Sequence, residues 1–226
     1  LSKPASTAYS CEIWRRYFRC CLSQAFPVFS AQTARIRQKG VLLMTYIAAN
    51  AVAFAQRQTG RYRDGECWTL IEDAVVGAGG KSSRGLTPNF SAQSSYVWGT
   101  GVLISALQAG DVLQFTRYSW TRSITVDVSN PDGSGSVNTT TQQEVRGAPN
   151  HTAMVVRVVS PGVVEVVEQN IPTATGPVQT LELVLTAPAP STETTRTPGR
   201  DGATVTVTTT SDAVTNPPRC YRPISS

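Results

Sequence analysis

The sequence predicts an α+β fold, with N-terminal helices packed on a mostly antiparallel sheet of five to seven strands or on a half-barrel. Three observations predict it. Helical apolar spacing is confined to the stretch before residue 80, Val-rich and alternating runs dominate after residue 110, and clusters of Gly, Pro, Asn and Ser punctuate those runs. The first helix begins at Met44 and runs from Thr45 to about Gln58. A second starts after Asp64-Gly65, where Leu70, Ile71, Ala74, Val75 and Ala78 recur at helical spacing, Glu72 and Asp73 fall outside, and Gly79-Gly80 end the run. Strands are expected at 111–116, 118–128, 141–146, 151–159, 163–170, 179–185 and 204–208. Two inserts, 129–140 rich in Ser, Gly, Asn and Thr and 186–202 rich in Pro and Thr, read as mobile loops or hairpin tips. Such loops either line a substrate groove or simply decorate the surface.

Of 226 residues, 40% are hydrophobic and 15% charged, enough to bury a proper core. The net charge of +5 is unevenly placed. Residues 1–43 carry seven Lys or Arg against Glu12 alone, and the remainder carries 13 basic and 14 acidic groups. The region from Met44 onward is therefore near neutral and lacks a basic face with interleaved aromatics, so no nucleic-acid partner is expected. Residues 1–43, which also hold Cys11, Cys20 and Cys21, show no apolar period. They read as a basic extension, disordered or not native, ahead of a domain spanning 44–226. Arg35, Arg37 and Lys39 before the uncharged run 40–56, with Ala53-Phe54-Ala55, also fit a secretory leader, although Thr45, Tyr46 and Asn50 dilute it and the run serves equally well as a first helix. No uninterrupted apolar run reaches membrane-spanning length. Compartment stays open: a reduced site slightly favours the cytoplasm, and a glycan on the sequon at Asn150 would sit beside His151.

The chemistry-bearing residues are Cys67 within Gly65-Glu66-Cys67-Trp68, the single histidine His151, and the run Glu168-Gln169-Asn170. A thiol hydrolase needs a nucleophile, a base and a polar group that fixes the imidazole. Cys67 falls in the first turn of the second helix, where free N–H groups and the helix dipole favour the thiolate. Its plainer reading is a buried cysteine of a core helix. His151 opens one Val-rich run and Ser160-Pro161-Gly162 turns into the next, which makes a hairpin. With Pro161-Gly162 as the central turn residues, Ser160 faces Val163 and Ala153 faces Asn170. With the turn one place earlier, His151 faces Asn170. In both registers His151, Glu168 and Asn170 share a face, whereas a three-residue loop would turn His151 away. The plainer reading is an ordinary buried hairpin with a solvated Glu168.

These residues carry a resemblance. The Gly-x-Cys-Trp helix start, the strand His151-Thr152-Ala153-Met154-Val155 and the Glu168-x-Asn170 pair are similar to the CHAP amidase and endopeptidase group, near the NlpC-like hydrolases of the papain-like cysteine hydrolase clan. Tyr96-Val97-Trp98-Gly99 and 109–115 resemble the segment leading into the first strand of those domains. Glu66 and Asn150 stand where many CHAP domains have Gln and Gly. The resemblance implies a papain-like fold and maps Cys67, His151, Glu168 and Asn170 onto nucleophile, base, orienting group and auxiliary polar group. A similar pattern occurs in a domain of fungal actin-patch adaptor proteins, where a hydrolase role is not obvious.

The expected function is cleavage of an amide, peptide or isopeptide bond by a monomer that needs no metal or cofactor, a cell-wall peptide being one candidate substrate. One histidine cannot build a usual zinc site. Asn170 is favoured over Glu168 for orienting the ring because one register places it opposite His151. The Cys67 backbone N–H and a donor from Tyr62 or Gln58 are the candidates for the oxyanion. The alternative is a catalytically silent module that binds another protein.

Overall fold

Val, Ile and Thr are crowded at Cβ and favour a pleated surface, and from residue 112 onward they set the architecture. The computed structural model describes residues 44–173 and 175–226, and the backbone of 37–38 and 41–42. Arg37–Gln38 (β1) and Val41–Leu42 (β2) pair antiparallel. Apart from these strands, the expected basic extension 1–43 lies outside the described residues. The compact unit that contains the described residues is Arg35–Ser226.

Three short helices come next, Ala48–Gln56 (α1), Cys67–Gly77 (α2) and Ser83–Leu86 (α3). The short strand Thr100–Val102 (β3) precedes two very long ones, Val112–Ser129 (β4) and Gly135–Ser160 (β5). Val163–Glu168 (β6), Gln179–Val184 (β7), Ser191–Gly199 (β8), Gly202–Thr215 (β9) and Arg219–Arg222 (β10) complete the chain. All eight strands from β3 onward form one open antiparallel sheet, in the order β3-β10-β4-β5-β6-β7, with β9 on β4 and β8 on β9.

The expected papain-like α+β layout, with N-terminal helices on a five- to seven-stranded sheet or half-barrel, is therefore corrected to a β-rich fold. Strand accounts for 48% of the described residues and helix for 15%. The physical reason lies in the two inserts. The residues at 135–140 and 191–199 are strand, not loop, and lengthen the sheet far beyond the core.

A bulge divides the sheet. Register shifts between Thr116 and Tyr118 of β4, where residues 147–149 of β5 oppose Arg117 alone. Gly147 makes this bend possible: its φ is +79°, and an added Cβ would meet Pro149 O at 3.0 Å and His151 N at 3.2 Å. On the near side of the bulge, the apolar faces are buried. Leu70, Ile71, Ala74 and Val75 of α2 pack with Ala51 and Ala55 of α1 and with Val112, Met154 and Val167. Leu113, Phe115, Ala153, Val155, Val164, Val166 and Leu183 build a second cluster. Beyond the bulge, β4 from Ser119 pairs with β5 on one side and β9 on the other, and β8 closes the set. These 11 residues of β4 extend about 36 Å at roughly 3.3 Å per residue.

Candidate functional site

Asp64 braces the entry to α2: its Oδ1 accepts from Glu66 N at 3.1 Å and its Oδ2 from Thr69 Oγ1 at 2.9 Å. One free backbone N–H at the helix start is thereby satisfied, and a first-turn side chain is tied to the preceding loop. Cys67 is the first residue of α2 and is 8% exposed. Gln169, fully buried at the exit of β6, ties the preceding loop in place. Its Oε1 accepts from Tyr62 N at 3.0 Å and its Nε2 donates to Glu66 O at 2.7 Å. The strand that ends at Glu168 thus holds the loop that ends at Cys67.

His151 lies in β5 opposite Phe115 and is 3% exposed. A buried polar network braces its backbone. Gln114 Nε2 donates to His151 O at 3.2 Å, and Gln114 Oε1 accepts from Trp98 Nε1 at 3.1 Å and Thr152 Oγ1 at 3.0 Å. Glu168, the last residue of β6, has no exposed surface. His151 Nε2 lies 2.9 Å from Glu168 Oε2, which leaves Nδ1 as the nitrogen for the thiol. Burial works against a charged imidazole, but the Cys67 and Glu168 side chains outweigh it and raise the His151 pKa to about 9. Burial likewise works against the Glu168 carboxylate, and His151 and Arg146 together hold its pKa below the ordinary value. Arg146 reaches the same carboxylate with Nε 3.1 Å from both oxygens and Nη2 2.9 Å from Oε1, and Gln179 Nε2 adds a contact at 3.4 Å.

The structure thus brings Cys67, His151 and Glu168 together and sets Asn170 apart, which corrects the choice of Asn170 as orienting group. Both expected registers occur in the hairpin. Ser160 faces Val163 at the turn, and after two irregularities Met154 faces Val167, the register that would carry His151 to Asn170. The ladder stops first. Asn170 has left the strand with φ +72°, a conformation Asn tolerates, and its Nδ2 is 3.4 Å from Glu66 Oε2 while its Oδ1 is buried without a partner. Glu168 then meets His151 diagonally across the pair, within reach of a long side chain. The oxyanion candidates also need correction: Tyr62 spends its N–H on Gln169 and its hydroxyl on Asp73, and Gln58 Nε2 turns back to Phe54 O at 2.9 Å. Sequence reasoning missed Gln169 and Arg146. Gln169 falls on the opposite face from its two neighbours, a signal that alternation does contain.

Aromatic side chains flank the thiol. Trp68, Phe90 and Tyr96 pack with ring centroids 5.3–6.0 Å apart, and the Arg84 guanidinium lies 4.4 Å from the Trp68 ring centre. Burial first, then the nearby Cys67, raises the Tyr96 phenol pKa. On the other side of the imidazole, a cavity of about 1260 Å³ is lined by Arg117, Glu144, Pro149, His151, Asn170 and Leu181, among others. Cys67 is not part of its wall. Cys220, the other cysteine of the described residues, lies buried in the second core cluster, and burial followed by Asp111 pushes its thiol up to about 12. Among the described residues no group of three His, Cys, Asp or Glu is placed to hold a metal ion, and no helix is long and apolar enough to cross a membrane. No family model, curated protein or solved structure matches the chain.

Proposed function

We propose that this protein is a thiol-dependent hydrolase of an amide, peptide or isopeptide bond, with Cys67 as nucleophile, His151 as acid and base, and Glu168 as the orienting group. The observation that carries this reading is the buried imidazole between thiol and carboxylate, with Nε2 2.9 Å from Glu168. The imidazole takes the thiol proton as sulfur attacks the carbonyl carbon, and Glu168 keeps Nδ1 aimed at sulfur. The Cys67 backbone N–H has no intrahelical partner at this position and is the one remaining oxyanion donor among the expected set. Collapse of the adduct expels the amine, which takes the imidazolium proton, and leaves a thioester. Water then attacks the thioester, His151 takes its proton, and the acid leaves as the thiol is restored. The resemblance to CHAP amidases supports an amide target, with peptidoglycan stem peptides as one candidate source.

Peptide-resolved mass spectrometry of the full chain treated with iodoacetamide at neutral pH tests this proposal. Cys67 should label far faster than Cys220, and Cys67→Ala should abolish turnover of any peptide or muropeptide substrate found by screening. Labelling of Cys67 only after unfolding, or at the Cys220 rate, would overturn the enzyme reading. It would favour the catalytically silent binding module, for which the long exposed sheet beyond the bulge is the supporting observation.

A further inference from the structure

Arg146 is 5% exposed, and its hydrogen bonds run to Glu168 and Val145, not to the thiol or the imidazole. It sits on β5 just before the three-residue bulge, opposite Tyr118, and the chain returns to His151 only after that bulge. Its guanidinium lies side-on to Glu168, with Nε 3.1 Å from each oxygen and Nη2 2.9 Å from Oε1, while Nη1 donates to Val145 O at 2.9 Å. The fork fixes the carboxylate plane, so Oε2 is the oxygen presented to His151 Nε2. Lysine, a point charge, could not fix that plane.

We propose that Arg146 is a positioning residue of the thiol site: it holds Glu168 ionised and correctly turned for His151, and acts on Cys67 through that chain of contacts. This inference rests on reading Cys67 and His151 as a reactive pair. The groups facing the chain of contacts are few. Glu144, also on β5, lies 3.7 Å from Arg146 Nη2, Gln179 comes from β7, Cys67 from α2 with the Tyr96 phenol near it, and Tyr118 from β4. Burial, then Glu144, raises the Tyr118 pKa, so that phenol stays neutral. Burial also raises the Glu144 pKa, with Arg146 opposing it. Arg146 is thus the positive charge paired with Glu168 besides the imidazolium itself.

The sign of its effect follows. Removing a positive charge beside Glu168 makes protonation of that carboxylate easier, so the acid side of Cys67 reactivity must move to higher pH. A nearby opposite charge shifts a carboxylate by roughly one to three pH units, so Arg146→Gln should raise the acid midpoint of Cys67 carbamidomethylation by about one unit. Arg146→Lys should shift it less, and Arg146→Gln added to Glu168→Gln should shift it no further. A residue that served stability alone would lower Tm and leave the midpoint in place. That result, or an undiminished shift in the Glu168→Gln background, overturns the proposal.

A second measurement does not depend on Cys67 reacting or on a variant folding. The chain has one histidine, so its imidazole 15N signals are unambiguous. In the unaltered protein they should show no step from Glu168 above the ordinary glutamate value of about 4.3. A second step above that pH, besides the imidazole's own near 9, means that Arg146 does not keep Glu168 ionised, and the proposal falls even if Cys67 labels rapidly. Slow Cys67 labelling with no Glu168 step in the imidazole profile instead overturns the hydrolase reading and leaves the Arg146 contact chain standing.

Discussion

The two ends of the long strands β4 and β5 share one backbone ladder and differ in almost everything else. At the core end, Val112, Leu113 and Phe115 of β4 and Ala153, Met154 and Val155 of β5 are fully buried. Beyond the bulge, from Thr121 of β4 and up to Val145 of β5, no residue of either strand is buried, and the partners β8 and β9 are as open. Threonine replaces the apolar layers there. Thr139, Thr125, Thr209 and Thr192 form one row across four strands, with Oγ1 contacts of 3.0 Å for Thr125 with Thr139 and 3.5 Å for Thr192 with Thr209. Cross-strand pairs and β-branched geometry suffice to extend a sheet once a buried end has fixed its register. The Cys67, His151 and Glu168 cluster lies at the other end, where burial makes charge interactions strong.

The largest effect that separates the two ends is a cavity. Leu70 on α2 is fully buried against the first core cluster, so Leu70→Ala should cost about 2–5 kcal/mol in urea unfolding. Val126 lies in the middle of the exposed region and is only partly covered, and Val126→Ala should cost less than about 1 kcal/mol. Equal costs would mean that the far sheet carries a core of its own.

A deletion asks the same question of the whole region. Ile124 faces Thr140 and Ser191 faces Thr210, so each pair can be joined by Asn-Gly, the two-residue turn that suits strand twist, in place of 125–139 and 192–209. The shortened chain should unfold in one cooperative transition and label at Cys67 as the full chain does. Trp120 and Arg122, both bonded to Asp212, stay in place at the base. Loss of cooperativity, or loss of Cys67 labelling, would show that the far end supports the site.

The same contrast explains what the sequence made legible. The unique His151 narrowed the search for a base, and alternation placed Glu168 on its side of the hairpin, so much of the candidate site was readable. Asn170 misled because its pairing was extrapolated past the strand end, and the positive φ that ends pairing there is a choice of conformation, not of residue type. Arg146 was invisible because a bulge of three residues against one moves it to Glu168, and no periodicity reports such a bulge. Of the far sheet, the runs 118–128, 141–146 and 204–208 read as strands, while 135–140 and 191–199 read as loops because Ser, Gly, Pro and Thr without apolar alternation carry no core signal. Their pairing partners, not their own pattern, make them strands. The first two helices were readable and the short Ser83–Leu86 was not, and the helical share of the fold was overestimated because the far strands went partly unread.

The smallest effect is the most local. Thr125→Ala removes one hydroxyl contact and one β-branched side chain from the four-threonine row, which is worth roughly 0.2–1 kcal/mol. Because that row has no buried core behind it, its amides should exchange with solvent through local opening well below the global unfolding free energy. Thr125→Ala should then speed exchange at 123–127 and at the facing residues 137–141 and 207–211, while amides at 112–115 and 153–155 keep their protection. If core amides accelerate in step, the two ends open as one unit and the bulge at Arg117 is no boundary. If only the far amides respond, the bulge divides the sheet into one part anchored on the buried core and another held by pairing alone.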